Sequence, residues 1–82
     1  MAHENMDAEI RDVEAAIIAT ELSIQRIAEQ LDELGAQLRS ATSADDIAFL
    51  RTKEEQLREQ DIRLRTEKEQ LRTKKEQLLK AK

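Results

Sequence analysis

Few side chains in this sequence could take part in catalysis or metal binding, and they are scattered along the chain. His3 is the only histidine and cysteine is absent, so the ligands of an ordinary zinc or transition-metal site are missing. Asp45 and Asp46 are adjacent carboxylates that could coordinate a hard cation. They follow Ser43 at the spacing of a helix N-terminal cap, however, and we prefer that interpretation. No glycine-rich loop, nucleophile elbow or Ser/His/Asp set occurs. We predict a protein that is not an enzyme and has no catalytic, metal or cofactor site.

The C-terminal stretch KKEQLLKAK concentrates positive charge. Such a segment can bind nucleic acid or an acidic membrane surface. Elsewhere acidic and basic residues interleave, a single aromatic is available to stack on a base, and the isoelectric point is near 5.0. A solvated helical face whose charges complement the helix dipole explains the same residues. We expect no membrane partner and disfavour nucleic acid, while RNA stays open as an alternative.

The composition indicates long helices. Charged residues make up 39% of the 82 residues and aromatics 1%; there is no proline, and Gly35 is the single glycine. A chain rich in Ala, Leu, Glu, Lys, Arg and Gln is typical of coiled coils, whereas sheets need β-branched runs and turn residues. No apolar run approaches the roughly 20 residues of a transmembrane helix, and the acidic start lacks signal-peptide features. We predict an all-α chain of one domain, with the cytoplasm as its simplest location.

The first half of the chain carries aliphatic residues at a seven-residue period. We label the two rows a and d, as in coiled coils. A first, acidic helix over residues 1–39 would carry them as an almost unbroken apolar stripe, which a partner must cover. The a row consists of Ile10, Ile17, Ile24, Leu31 and Leu38, and the d row of Met6, Val13, Thr20, Ile27 and Leu34.

The second half repeats leucine every seven residues, and we predict a second, basic helix over residues 45–82. Its d row consists of Leu50, Leu57, Leu64, Leu71 and Leu78, and its a row of Ile47, Glu54, Asp61, Lys68 and Lys75. Parallel pairing with a copy of itself would place like charges together in four layers, which is unfavourable. The second helix therefore needs a partner with a wider apolar stripe, and the first helix has one.

The stretch SATSADD, residues 40–46, separates the two periodic halves. We place a turn at 40–44, with Ser43 as the cap of the second helix. Gly35 is a rival stop signal for the first helix. A single continuous helix of ~120 Å is the remaining alternative to a hairpin.

An antiparallel hairpin pairs a residues with d residues whose numbers sum to 88, as in Leu38 with Leu50, and this centres the turn on residue 44. Charge favours the same arrangement. Residues 1–41 hold three basic and nine acidic side chains, a net charge of −6, and residues 42–82 hold eleven basic and nine acidic, a net charge of +2. Exposed ion pairs contribute ~0.2–1 kcal/mol each, so they select orientation more than they stabilise.

A two-helix hairpin buries little apolar area, and the first helix carries a second apolar patch. We therefore predict a homodimer that forms a four-helix bundle, with another coiled-coil protein as the alternative partner. The predicted interface residues are Ile10, Val13, Ile17, Ile24, Ile27, Leu31, Leu34, Leu38, Leu50, Leu57, Leu64, Leu71 and Leu78, and the second patch is Ala15, Ile18, Ala19 and Leu22.

The heptads LRTKEEQ, LRTEKEQ and LRTKKEQ resemble the L-R-x-K-E repeats of predicted oomycete and fungal proteins, including Crinkler-like effectors. The preceding VEAAIIATELSIQRIAEQL is similar in style to the helices that come before such repeats. The resemblance covers residues 10–79, implies an interaction module of a larger protein and assigns no functional residue. The layout is also superficially similar to the antiparallel finger of Rho-effector domains.

The function that the sequence predicts is a non-enzymatic coiled-coil module for oligomerisation or protein interaction. The alternative is a helical hairpin that binds RNA or a small GTPase.

Overall fold

The computed structural model is a pair of helices joined by a short connector. It describes the backbone of residues 2–81 and the side chains from Asn5 to Ala81. Helix α1 spans Ala2–Ser40 and helix α2 spans Ala44–Ala81, and the described residues contain no strand. The helices contact each other as an antiparallel hairpin that is 63 Å long and 14 by 13 Å across. One continuous helix would be about twice as long, so the chain folds back on itself.

The connector is shorter than the predicted turn. Ser40 still belongs to α1 and Ala44 opens α2, which leaves residues 41–43 between them. Helix α1 continues through Gly35, and no described residue has a positive φ. The rival stop signal at Gly35 therefore does not end the helix.

Ser43 caps the start of α2. Its carbonyl oxygen accepts a hydrogen bond from the Ile47 N–H at 3.0 Å, and its Oγ accepts one from the Asp46 N–H at 3.5 Å. Asp45 and Asp46 lie in the first turn of α2, where negative charge complements the positive end of the helix dipole. The predicted cap is confirmed, and the adjacent carboxylates have a structural explanation.

The core of the hairpin lies on α1. Its buried residues are Ile10, Val13, Thr20, Ile27 and Leu34, whereas α2 has no buried residue. Four of these five belong to the d row. Thr20 is the polar member, and its hydroxyl donates to the Ala16 carbonyl oxygen at 2.8 Å, so the buried oxygen has a partner.

Neither helix carries, within residues 2–81, an apolar stretch long enough to cross a membrane.

Replacing Gly35 with Ala should stabilise the hairpin. The added Cβ would meet Arg39 Nη1 at 3.9 Å, an ordinary contact with the end of a flexible side chain. Glycine within a helix costs about 1 kcal/mol relative to alanine, which corresponds to a rise of roughly 4–8 °C in the Tm of a small domain. Thermal unfolding followed by circular dichroism measures the shift. A lower Tm would show that the backbone at residue 35 is not helical.

Replacing Ser43 with Ala should destabilise the hairpin by about 1 kcal/mol, because the N–H groups at the start of α2 lose their side-chain acceptor. Ser43→Asp is the matched control, since aspartate caps as well as serine. Chemical denaturation of the three proteins gives the comparison. Equal stability of Ser43→Ala and the parent would mean that the 3.5 Å contact contributes nothing.

Candidate interaction surface

Two ion pairs join the helices, one at the middle of α1 and one nearer the free ends. Lys68 Nζ lies 3.7 Å from Glu21 Oε1, and Lys75 Nζ lies 3.6 Å from Glu14 Oε1. In each pair the residue numbers sum to 89, whereas the predicted register pairs residues whose numbers sum to 88. The bridges therefore place Lys68 at the level of Thr20 in α1.

These lysines start in the a row of α2 and end on glutamates of α1. A side chain with that path must lay its methylene stem across the seam while its ammonium group reaches solvent. The d-row residues at the same levels, Val13 and Thr20, are only 5% and 6% exposed. Long charged side chains thus complete the cover where α2 lacks an apolar residue.

The acidic members of the same row are satisfied differently. Glu54 Oε1 lies 3.4 Å from Arg58 Nη2, and Asp61 Oδ2 accepts a hydrogen bond from Arg65 Nε at 2.9 Å. Both pairs lie within α2. The a row of α2 is therefore acidic towards the connector and basic towards the free ends, with each charge paired.

The hairpin has two long flanks of different character. The side of the hairpin on which the a rows of both helices are accessible is called the isoleucine flank. Two neighbouring grooves run along it and share Glu21. One is lined by Ile18, Glu21, Leu22, Ile24, Gln25 and Lys68, and the other by Ile17, Glu21, Arg72, Lys75, Glu76 and Leu79.

We call glutamine flank the opposite side, next to the buried d row of α1. Its groove is lined by Gln30, Glu33, Leu34, Gln37, Lys53, Gln56, Leu57 and Gln60. Phe49 lies further along this side, beside Gln37 and Leu50, with Lys53 Nζ 5.0 Å from its ring centroid. The glutamine flank is thus lined mainly by polar side chains.

The exposed apolar residues favour the isoleucine flank. Ile18 is 60% exposed and Leu22 53%, and Ala15 and Ala19 of the predicted second patch are exposed as well. Leu79 lines the groove beside Ile17. Ile62 is also exposed and occupies the same heptad position in α2 as Ile18 in α1.

The predicted interface residues divide by burial. Ile10, Val13, Ile27 and Leu34 are buried, and the other nine are half-buried: Ile17, Ile24, Leu31, Leu38, Leu50, Leu57, Leu64, Leu71 and Leu78. All thirteen follow the two seam rows, and their role between chains stays a prediction. Sequence reasoning missed the two bridges that the core lysines make to α1. Acidic residues one position after Val13 and Thr20 were the available signal.

The remaining chemical candidates form no centre. Among the described side chains, no three acidic residues or histidines converge as metal ligands. His3 lies outside the described side chains. No protein-family model matches the sequence, and no curated protein or solved structure is significantly similar to it.

Replacing Ile24 with Asp should unfold the hairpin or dissociate its assembly. The substitution places a charge in the middle of the a row of α1, where ~2 kcal/mol or more is lost when a polar group is buried without a partner. Gln30→Asp is the control, because it adds the same charge to α1 at an exposed position on the glutamine flank. Helicity by circular dichroism and mass by sedimentation should change for Ile24→Asp and not for Gln30→Asp. If both variants behaved like the parent, the assignment of the a row would be wrong.

Proposed function

We propose that this chain is a non-enzymatic oligomerisation module, a coiled-coil hairpin that pairs with a second copy to form a four-helix bundle. The observation that carries the proposal is the incomplete cover of α1. Its d row is buried by α2, yet Ile17, Ile24 and Leu31 of its a row are only half-buried, and Ile18 and Leu22 are mostly exposed.

The energetics support an assembly. Five residues of the described chain are buried, and each keeps 5–7% of its surface exposed, a small core for 82 residues. Chain entropy nearly cancels the stabilisation from a core of this size. Complete burial of one Ile or Leu side chain contributes about 1.5–3 kcal/mol, so covering the open a row and the exposed patch would stabilise the bundle considerably.

The topology suits a module that gathers other segments. Because the hairpin is antiparallel, Ala2 and Ala81 lie towards the same end of the molecule. In a larger protein, of the kind that the likeness of its heptads to Crinkler-like repeats implies, dimerisation would hold the attached segments of two chains close together.

RNA is the alternative partner that one observation favours. Arg51, Arg58, Arg65 and Arg72 form an exposed row along α2. Two of the four already pair with carboxylates of their own helix, which lowers the charge left for phosphates. Tight RNA binding that weakens steeply with salt would favour this alternative over the oligomerisation module. The hairpin layout is the only feature that supports a small GTPase as the binding partner.

The association can be tested by replacing Ile18 with Lys. Sedimentation equilibrium of the parent at micromolar concentration should give twice the 9.5 kDa chain mass. Ile18→Lys should give a helical monomer, because it places a charge in the patch that the second copy covers. Phe49→Lys is the matched control, since Phe49 is exposed to the same degree, 61%, but lies on the glutamine flank.

Phe49→Lys should remain a dimer. A parent chain that is a stable, well-folded monomer at this concentration would overturn the proposal.

A further inference from the structure

The isoleucine flank carries enough detail to define how a second copy would dock. We infer that two hairpins pack through their isoleucine flanks with their connectors at opposite ends, so that α1 lies against α1 and α2 against α2. The inference rests on the proposed self-association and adds the face and the orientation. It follows from the accessible residues on the two flanks, the charges of the a row of α2, and the small residues of α1.

The choice of flank follows from what each side leaves uncovered. On the isoleucine flank, apolar surface is available from the half-buried a row of α1 and from Ile18, Leu22 and Leu79. On the glutamine flank, the d row of α1 is already buried and polar side chains line the groove. The isoleucine flank also carries charged side chains, among them Lys68, Arg72 and Lys75, and a second copy brings opposite charges that can pair with them. Because most of the exposed aliphatic surface lies there, the isoleucine flank is the better docking surface.

Two orientations are open to hairpins that meet face to face about a two-fold axis. With the connectors at the same end, α1 of one copy lies on α2 of the other, and the two α2 helices meet diagonally at equal levels. With the connectors at opposite ends, each helix lies antiparallel to its own copy. The first arrangement stacks the apolar row of α1 on the charged row of α2, and the second separates apolar from charged rows.

The charges on α2 distinguish the two orientations. Connectors at the same end would bring Glu54 to the level of Glu54, and Lys68 to that of Lys68, in the centre of the bundle. With the connectors at opposite ends, the two α2 helices run antiparallel, and equal residue numbers meet only near residue 62, at the middle of the helix. Glu54 of one copy then falls between the levels of Lys68 and Lys75 of the other. One like pair remains, because Asp61 comes close to its own copy near that middle, where its carboxylate already accepts a hydrogen bond from Arg65. Like charges in a desolvated interface are costly and opposite charges are not. The first orientation brings like charges together at every charged level, so the second orientation is favoured.

The exposed arginines of α2 are compatible with this orientation. They lie in the heptad row next to the a row, and the row beyond contains the exposed residues Glu55, Glu69 and Glu76. In an antiparallel pair, residues of one row face residues of the neighbouring row, as a faces d in a coiled coil. Three of the four arginines of one copy therefore face glutamates of the other, and Arg65 faces Ile62.

Side-chain size on α1 favours the same orientation. Glu14 and Glu21 lie next to the a row in the first half of α1, and the equivalent positions nearer the connector are Ala28 and Gly35. When α1 meets its own copy in reverse, Ile18 comes near the level of Gly35. A small residue at that level leaves room for the isoleucine side chain of the other copy. Gln25 then lies next to its own copy, near the two-fold axis.

The dimensions of the flank are compatible with a dimer interface. A face 63 Å long and 14 Å wide has a projected outline of about 900 Å², of the order of the ~800 Å² of accessible surface that each partner contributes to a standard interface.

Cysteine crosslinking tests the flank. Gln25→Cys should be joined to its own copy in high yield by a short bismaleimide. Gln56→Cys is the matched control, an exposed glutamine that lines the groove of the other flank, and it should remain uncrosslinked at the same protein concentration. Efficient crosslinking of Gln56→Cys in place of Gln25→Cys would overturn the choice of flank.

A spin label at Thr42, in the connector, tests the orientation. Connectors at opposite ends of a 63 Å molecule should give an intermolecular distance of about 5–6 nm. Connectors at the same end would give about 2–3 nm, because neighbouring helices pack 8–10 Å apart, and that result would overturn the orientation while leaving the dimer intact. A monomeric mass with no dipolar coupling would instead overturn the proposed function, and this inference with it.

Discussion

The contact between the d row of α1 and the overlying side chains of α2 is the interaction on which the hairpin depends. It contains four of the five buried residues of the described chain. In the register of the hairpin the leucines of α2 lie opposite the a row of α1, and the charged a row of α2 lies opposite the d row. The stems of Lys68 and Lys75 cross the seam at the levels of Thr20 and Val13, and Leu57 lines the same groove as Leu34. Because α1 provides the only continuous apolar stripe, neither helix has an alternative partner within the chain.

The charged a row of α2 makes the contact selective rather than strong. Each charge in it is at least partly solvated and has an ion-pair partner: two within α2 and two on α1. Partly exposed pairs stabilise weakly, but removing their partners leaves charges at the seam, which is costly. A pairing of α2 with a parallel copy of itself would lose the two glutamates of α1. The same row thus lowers the stability of competing pairings more than it raises that of the hairpin.

The sequence predicts the helices and their fold-back well because both are encoded locally. The heptad rows require two amphipathic helices, and Ser43 with the two aspartates marks the start of the second. The register also predicts that Lys68 lies at the level of Thr20, and the bridge that it forms is with the next residue, Glu21. The sequence could not show that the d row of α1 would be buried while its a row stayed half-open, since both rows are equally aliphatic. At two d-row levels, those of Val13 and Thr20, lysines of α2 reach across to α1, and the heptad rows do not specify that contact.

Periodicity also could not place the last turn of α1, because Ser40 and Ala41 are acceptable either in a helix or in a connector. The exposed patch around Ile18 was readable, since its residues lie outside both rows and still recur at helical spacing. The hairpin itself leaves Ile18 and Leu22 mostly exposed.

The connector affects how readily two chains could exchange helices. Residues 41–43 include no glycine, no proline and no positive φ, so no residue of the connector forces the chain to bend. Packing between the helices therefore keeps α1 and α2 together. If the connector straightens, α1 of one chain can pack in the same way against α2 of another chain. The closed form is favoured because tethered helices meet at millimolar effective concentration. Domain swapping is therefore governed by protein concentration and by the lifetime of the closed form.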